Sequence, residues 1–242
     1  MKNLGQVLLV CLAIVASVTI AANAFLQRNE GARSVSVTGS TRVDFVSDLI
    51  VWSGQFTRKA PELQAAFAKL GEDRALIREY LLGKGVSEPE IVFSAIDIQK
   101  ENEPVFSGGN RVGTRFVGYV LSQELRIESR DVDRIESISR EVTELINRGI
   151  EFASYDPRYY YTKLAELKVQ MIEGATKDGR QRAEQIARTA GARLSALKSA
   201  SLGVFQITAP NSSEEITWEG AYNTTSKRKT GLVTVRLQFR VK

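Results

Sequence analysis

The last strand-like stretch of this chain alternates without a fault. Val233, Val235, Leu237, Phe239 and Val241 fall on one side, and Thr234, Arg236, Gln238, Arg240 and Lys242 on the other. A period of two belongs to a pleated strand. A strand with one complete apolar face must be covered by a second layer. The chain is therefore bound to at least one sheet with a covered and an open face. SVSVTGSTRV, over residues 34–43, alternates in the same way and opens the domain.

The elements between these strands follow from spacing. A second strand pattern over 46–58 carries Trp52, Phe56 and β-branched residues, which suit a half-buried pleated surface. Pro61 stands where the first turn of a helix accepts proline. Leu63, Ala66, Phe67, Leu70, Ile77 and Leu81 follow at helical spacing, closed by Gly83 and Gly85. Residues 90–100 return to strand, and ENEPVFSGGNRVG reads as a turn-rich, mobile loop. A strand over 116–129 hands over to a helix that Ser129 or Asp131 can cap. Val132, Ile135, Ile138, Val142 and Leu145 line one face of that helix, and Gly149 stops it. IEFASYDPRYYY is a further strand. The longest helix runs over 162–190, with Leu164, Leu167, Met171, Ala175, Ala183, Ile186 and Ala190 as its seam. Strands over 194–208 and 231–241 finish the chain. The expected class is α+β: antiparallel-rich sheets with helices packed on one face, two related strand–helix–strand halves, and an N-terminal hydrophobic helix.

That N-terminal segment carries no charge from Asn3 to Gln27. At about 1.5 Å per residue, residues 4–26 can just cross a hydrocarbon core of about 30 Å. A secretory signal is the alternative, with Val7 to Ile20 as its apolar region and cleavage near Ala24. A buried core helix is a third reading, weakened by the lack of a polar face. The expected organisation is an anchor or signal over 1–32 and one α+β domain over 33–242.

Of the 242 residues none is histidine, and the single cysteine, Cys11, lies in the apolar run. This excludes Cys/His zinc sites, Ser-His-Asp and Cys-His nucleophilic systems and iron–sulfur ligation from one chain. A thiol-free domain suits an oxidising compartment. The net charge of +5 tolerates an acidic partner or a membrane surface without demanding one.

No catalytic motif stands out. Gly174 and Gly179 have P-loop spacing but are followed by Arg180 and Gln181, and they lie in a helix. The carboxylate pairs Glu72-Asp73, Asp131/Asp133 and Glu214-Glu215 read as solvated polar faces, and Asp44 and Asp48 as turn formers. Tyr159-Tyr160-Tyr161 reads as strand packing, and Trp52 and Trp218 as core or loop anchors. SKRKTGLVTVRLQFRVK carries six basic residues and no acid. Basic side chains there can guard a strand edge or meet an acidic surface on a neighbouring copy.

The ordered motifs resemble one family. Val35-Ser36-Val37-Thr38-Gly39 is similar to the V-x-V-x-G opening of SIMPL domains, a group of unknown function that includes YggE-like and periplasmic immunogenic bacterial envelope proteins. Ser47-Asp48-Leu49 falls where many members have Pro-Asp and an apolar residue. Gly85-Val86 with Ile91 to Ile98, and Gly118-Tyr119 with Asp131-Val132-Asp133, resemble two further passages. ATKDGRQRAEQIARTAGARL resembles the family's long helix, with Asp178, Arg180, Ala183, Ala187 and Gly191 in register and Gly179 in place of the usual alanine. The resemblance implies an α+β fold, export to the cell envelope and, in some members, ring-like or channel-like homo-oligomers. It implies no catalytic residue, cofactor or metal.

The expectation is thus a non-enzymatic envelope protein that self-assembles. It is anchored in the inner membrane by residues 4–26 with its domain in the periplasm, or soluble there after cleavage. Its partners are copies of itself, with no nucleic acid and no known small-molecule ligand. Arg236, Arg240, Lys242, Asp178 and Arg180 are the candidate contact residues. An exported module binding a small ligand or peptide is the alternative, and an enzyme using only Asp, Glu and Tyr is a third reading.

Overall fold

The computed structural model describes residues 12–22, 24–25, 33–212 and 217–242. Helix α1 covers residues 12–22. Two sheets follow, the first covered by one helix and the second by two. The α+β expectation holds.

The first sheet joins β1 (Ser34–Val46), β8 (Leu194–Leu202), β9 (Gln206–Thr208), β10 (Ala221–Tyr222) and β11 (Arg228–Val241). β11 lies at its centre. It pairs antiparallel with β1 from Ser34 opposite Arg240 to Val46 opposite Arg228, and with β8 and β9 on its other side. Its apolar face packs under helix α4 (Leu164–Thr189), in a core of Val37, Leu167, Met171, Ala175, Ala183, Val233, Val235, Leu237 and Phe239. The complete apolar face read from the sequence is thus the covered one.

The second sheet joins β2 (Leu49–Ala60), β3 (Ile91–Phe93), β4 (Asp97–Ser107), β5 (Asn110–Ser129), β6 (Phe152–Ser154) and β7 (Arg158–Tyr160). Helices α2 (Leu63–Gly83) and α3 (Val132–Glu141) close a core of large side chains with Trp52, Phe56, Leu121 and Ile127. Asp131 caps α3 by accepting from the Arg134 N–H at 3.2 Å. Trp52 Nε1 donates to Ser154 Oγ at 3.0 Å, and that hydroxyl donates to the Ser139 carbonyl at 2.8 Å, so the buried indole is satisfied.

Several sequence expectations are corrected. The loop expected over 101–113 is a hairpin in which β4 and β5 stay paired as far as Ser107 opposite Asn110. Gly108 and Gly109, both at positive φ, form its two-residue turn. Phe67 and Ile186 are exposed, and Ala190 lies past the end of α4. Asp73 and Ala187 instead occupy buried helix positions. The strand expected over 150–161 is two short ones, β6 and β7, which pair with different parts of β2. The strand expected over 194–208 is divided into β8 and β9. Trp218 is 97% exposed and is not a core anchor. Cys11 and Glu214-Glu215 lie outside the described residues, as does much of the expected spanning segment. Among the described residues no helix is long and apolar enough to cross a membrane.

Candidate interaction surface

The first sheet ends in an open edge. Among the described residues β1 pairs only with β11, through 13 residues. In an antiparallel pair, alternate residues turn both backbone groups toward the partner. The bonds flanking this ladder fix which ones: the Val241 N–H donates to the Arg33 carbonyl at 3.2 Å, and the Ser47 N–H to the Lys227 carbonyl at 2.9 Å. Odd-numbered residues therefore face β11. Ser34, Ser36, Thr38 and Ser40 turn their N–H and C=O groups outward. Asp178 on α4 occupies one of these, accepting from the Ser40 N–H at 2.9 Å while it takes Arg182 Nε, also at 2.9 Å. Both bonds hold the Asp178 carboxyl below the ordinary carboxylate range, the backbone N–H being the larger influence.

Beyond Asp178 an open groove of about 640 Å³ lies between the free edge and the helix. Ser36, Val37, Thr38, Gln181, Arg182, Gln185 and Ile186 line it. It follows from how closely α4 sits on β1. A Cβ on Gly39 would lie 2.1 Å from the Ala175 carbonyl oxygen and 2.4 Å from the Gly179 nitrogen. Glycine at both 39 and 179 lets helix and strand touch backbone to backbone.

The side of this sheet away from α4 is polar. Gln238 Nε2 donates to Ser34 Oγ at 2.9 Å, and Ser199 Oγ to Gln238 Oε1 at 3.2 Å, bridging three strands. Arg236 and Arg240 stand exposed beside them on β11.

The five expected contact residues are thus not one cluster. Arg236 and Arg240 lie on the open face and Lys242 at its end, whereas Asp178 and Arg180 lie on α4. Arg180 is taken by Glu184 at 2.8 Å, and Asp178 is engaged with Ser40 and Arg182. The acids of α3 and the turns after it, the acidic surface that a neighbouring copy would offer the basic C-terminus, are occupied within the chain. Lys227 binds Asp133 and, at 2.9 Å, Glu136. Arg134 takes Asp131, and Lys84 takes Glu141 and Glu144. Lys229 is fully buried, donating to the carbonyls of Asn223 and Ser226 at 2.6 Å.

The Lys227 group is a junction between the sheets. The Tyr159 hydroxyl on β7 donates to Glu136 Oε1 at 3.2 Å, and its N–H donates to the Thr224 carbonyl at 2.7 Å. Asp48 accepts from both the N–H and the hydroxyl of Thr162 at 2.7 Å. Lys227 lowers the Glu136 carboxyl below its ordinary range, and burial raises the Tyr159 phenol. Periodicity cannot reveal such a junction, because its bonded members stand at least 23 residues apart.

Elsewhere the carboxylates expected to be solvated include one buried exception. Asp73 accepts a two-pronged bond from Arg58, one prong at 2.7 Å, and Arg58 also reaches the Gly149 carbonyl at 2.8 Å. Among the described residues no group of His, Cys, Asp and Glu has the arrangement of a metal site.

No curated protein matches the chain. The sequence profile of SIMPL, described as a protein of unknown function (DUF541), matches residues 35–240, from the second residue of β1 to the penultimate residue of β11. That span contains both sheets and every helix after α1, and the chain belongs to the SIMPL family.

Proposed function

We propose that this is a non-enzymatic cell-envelope protein, tethered to the inner membrane through residues 4–26, whose periplasmic domain self-assembles into a homo-oligomer. The observation that carries the reading is the uncovered apolar helix. Leu12, Ile14, Val15, Val18 and Ile20 are each more than half exposed, so the domain does not supply the apolar environment they require. A bilayer supplies it. The lack of histidine and of any cysteine beyond Cys11 suits an exported domain, and the carboxylates Asp48, Asp73, Glu136 and Asp178 are engaged in internal bonds rather than converging on a cleft.

The open edge of β1 supports assembly. An edge with free N–H and C=O groups is a template for another strand. Tethering copies in one plane raises their effective concentration without any new contact. The test is the mass of the full chain in detergent, with and without Thr38→Pro. Proline at 38 removes an outward N–H and leaves the β11 ladder intact. The expected result is a multiple of the 26.8 kDa chain mass that falls in the variant. A monomer in both cases refutes self-assembly, and recovery in a soluble fraction without detergent refutes the tether.

The groove beside that edge favours a second reading, an exported module that takes an extended peptide along β1. Its backbone groups offer the ladder, and Gln181, Gln185 and Ile186 offer the side-chain contacts. A monomer that binds extended peptides, and loses them in Thr38→Pro, would establish it over self-assembly.

A further inference from the structure

The end of the first sheet that receives the chain from its N-terminal segment is ringed by cations. Arg33 precedes β1, and its carbonyl accepts from Val241. Arg193 and Lys242 exchange two backbone bonds, at 2.7 and 2.9 Å, where β8 begins and β11 ends. Arg240 pairs across from Ser34. Arg188 lies in the last turn of α4, which the Ala192 N–H, one residue before Arg193, closes by donating to the Ala187 carbonyl at 2.9 Å. All five side chains are exposed. None forms a salt bridge with a described residue, and Arg188 donates only to the neutral Gln185 side chain. Nearby Glu184 is taken by Arg180.

We infer that this end of the domain docks on the anionic phospholipid headgroups of the bilayer its own N-terminus enters. The inference rests on the membrane-tether reading above. Two observations fix the occupant. The first is charge: five exposed cations on one end, none in a salt bridge with a described residue, suit a dense anionic surface, and the acids a second copy can offer from α3 are already engaged. The second is reach. From Phe25, in the apolar segment, to Arg33 is eight residues, at most about 29 Å even if fully extended. The patch is thus held within a short distance of the headgroups. The field of an anionic lipid surface falls off within a Debye length of about 8 Å at physiological ionic strength, so the contact is short-ranged and salt-sensitive. Docking turns the free edge of β1 and the polar face of its sheet to a set angle from the membrane plane. Tethered copies then share one orientation.

The full chain is reconstituted in vesicles of neutral phosphatidylcholine alone, or of that lipid with about a third phosphatidylglycerol, a strongly anionic mixture. Ala196→Cys, an exposed position beside the patch, carries a donor dye in a Cys11→Ala background, and a fraction of the lipid carries the acceptor. Energy transfer is expected to be higher in the anionic vesicles and to fall to the neutral-vesicle level at 1 M salt, where the Debye length is about 3 Å. Arg193→Glu with Arg240→Glu is expected to abolish the difference. Free glycerophosphate added to neutral vesicles is expected to leave transfer unchanged. Equal transfer in both vesicle types overturns headgroup docking and leaves the tether standing. A chain that floats with neither vesicle overturns the tether and this inference together. The salt series uses the unaltered charges, so the result stands even if the double variant fails to fold.

Discussion

The two sheets solve the same packing problem in opposite ways. Helices α2 and α3 cover theirs through volume: Trp52, Phe56, Leu70, Ile77, Leu81, Leu121, Leu125 and Ile127 are all fully buried. Helix α4 covers its sheet through nearness. It presents Ala175, Gly179, Ala183 and Ala187 to the strands, and its backbone meets β1 at Gly39. Interiors are packed to crystal-like density in either case. A core of large side chains is damaged most by removing atoms, and a backbone contact most by adding them.

Trp52→Ala should produce the largest effect, a loss of about 3–5 kcal/mol measured as a shift in the urea midpoint. It empties the centre of the second core and strips the donor from Ser154 Oγ. A loss below about 1 kcal/mol would mean that volume does not hold that half. Gly39→Ala is the counterpart. One methyl should cost about 3 kcal/mol, at the upper end for overpacking, because its neighbours are backbone atoms that cannot step aside.

Gly179→Ala sharpens the contrast. Its methyl would meet Leu237 Cδ1 at 2.8 Å, the end of a side chain, with the Gly39 backbone no nearer than 3.2 Å. Alanine also gains about 1 kcal/mol in helix propensity over glycine. The two effects oppose, and the net change should stay within about 1 kcal/mol. If Gly39→Ala and Gly179→Ala prove equal, closeness to backbone is not what distinguishes the positions.

The covered faces were legible because they rest on periodicity. Val233 to Phe239 alternate and are buried, and the seam from Val132 to Leu145, on α3 and the 3-10 turns that follow it, is buried throughout. What periodicity could not separate was burial by a side chain from burial by a gap. Ile186 fits the α4 seam by spacing and is nonetheless 48% exposed, while Gly179 is buried and invisible to an apolar count. The polar hairpin read as a loop because Gly, Pro and Asn dominate it. A β4–β5 pair that leaves the body of the domain has no core to bury, and so shows no apolar alternation. Of the interaction surface, the basic residues were legible but their fates were not. Lys227 and Lys229 fold inward and Arg236 and Arg240 stay out, a division set by partners on α3 and in the loop at 223–226.

The junction between the halves tests whether they are separable. Glu136→Gln should cost about 1–2 kcal/mol, since it weakens charge-assisted bonds to Lys227 at a partly buried site. The Glu136 carboxyl sits below its ordinary range, so its contribution is complete above the unfolded value of about 4.3 and is lost as the pH falls through the lowered folded value. The variant and the parent should converge in acid. At neutral pH, Trp52 fluorescence and far-ultraviolet dichroism should give separate midpoints in the variant if the cores can unfold one at a time. Coincident midpoints would make the two cores a single cooperative unit despite their different construction.

The smallest expected effect belongs to Asp178, at the lip of the groove. Asp178→Asn keeps an oxygen for the Ser40 N–H but loses the charge that holds Arg182. The pair is partly open to solvent, with Arg182 more than half exposed, so the loss should stay under about 1 kcal/mol. The folded carboxyl is depressed. Its stabilisation is therefore present above the unfolded value of about 3.9 and disappears as the pH falls through the folded one. Urea midpoints for parent and variant should differ slightly at pH 7 and coincide in strong acid, with equal slopes. A larger loss in the assembled protein than in the monomer would show that Asp178 also orders the free edge for a neighbour. A loss above about 2 kcal/mol in the monomer itself would mean that a surface charge, and not the meeting of Gly39 with α4, holds helix to strand, and the comparison between the two halves would fail at its first step.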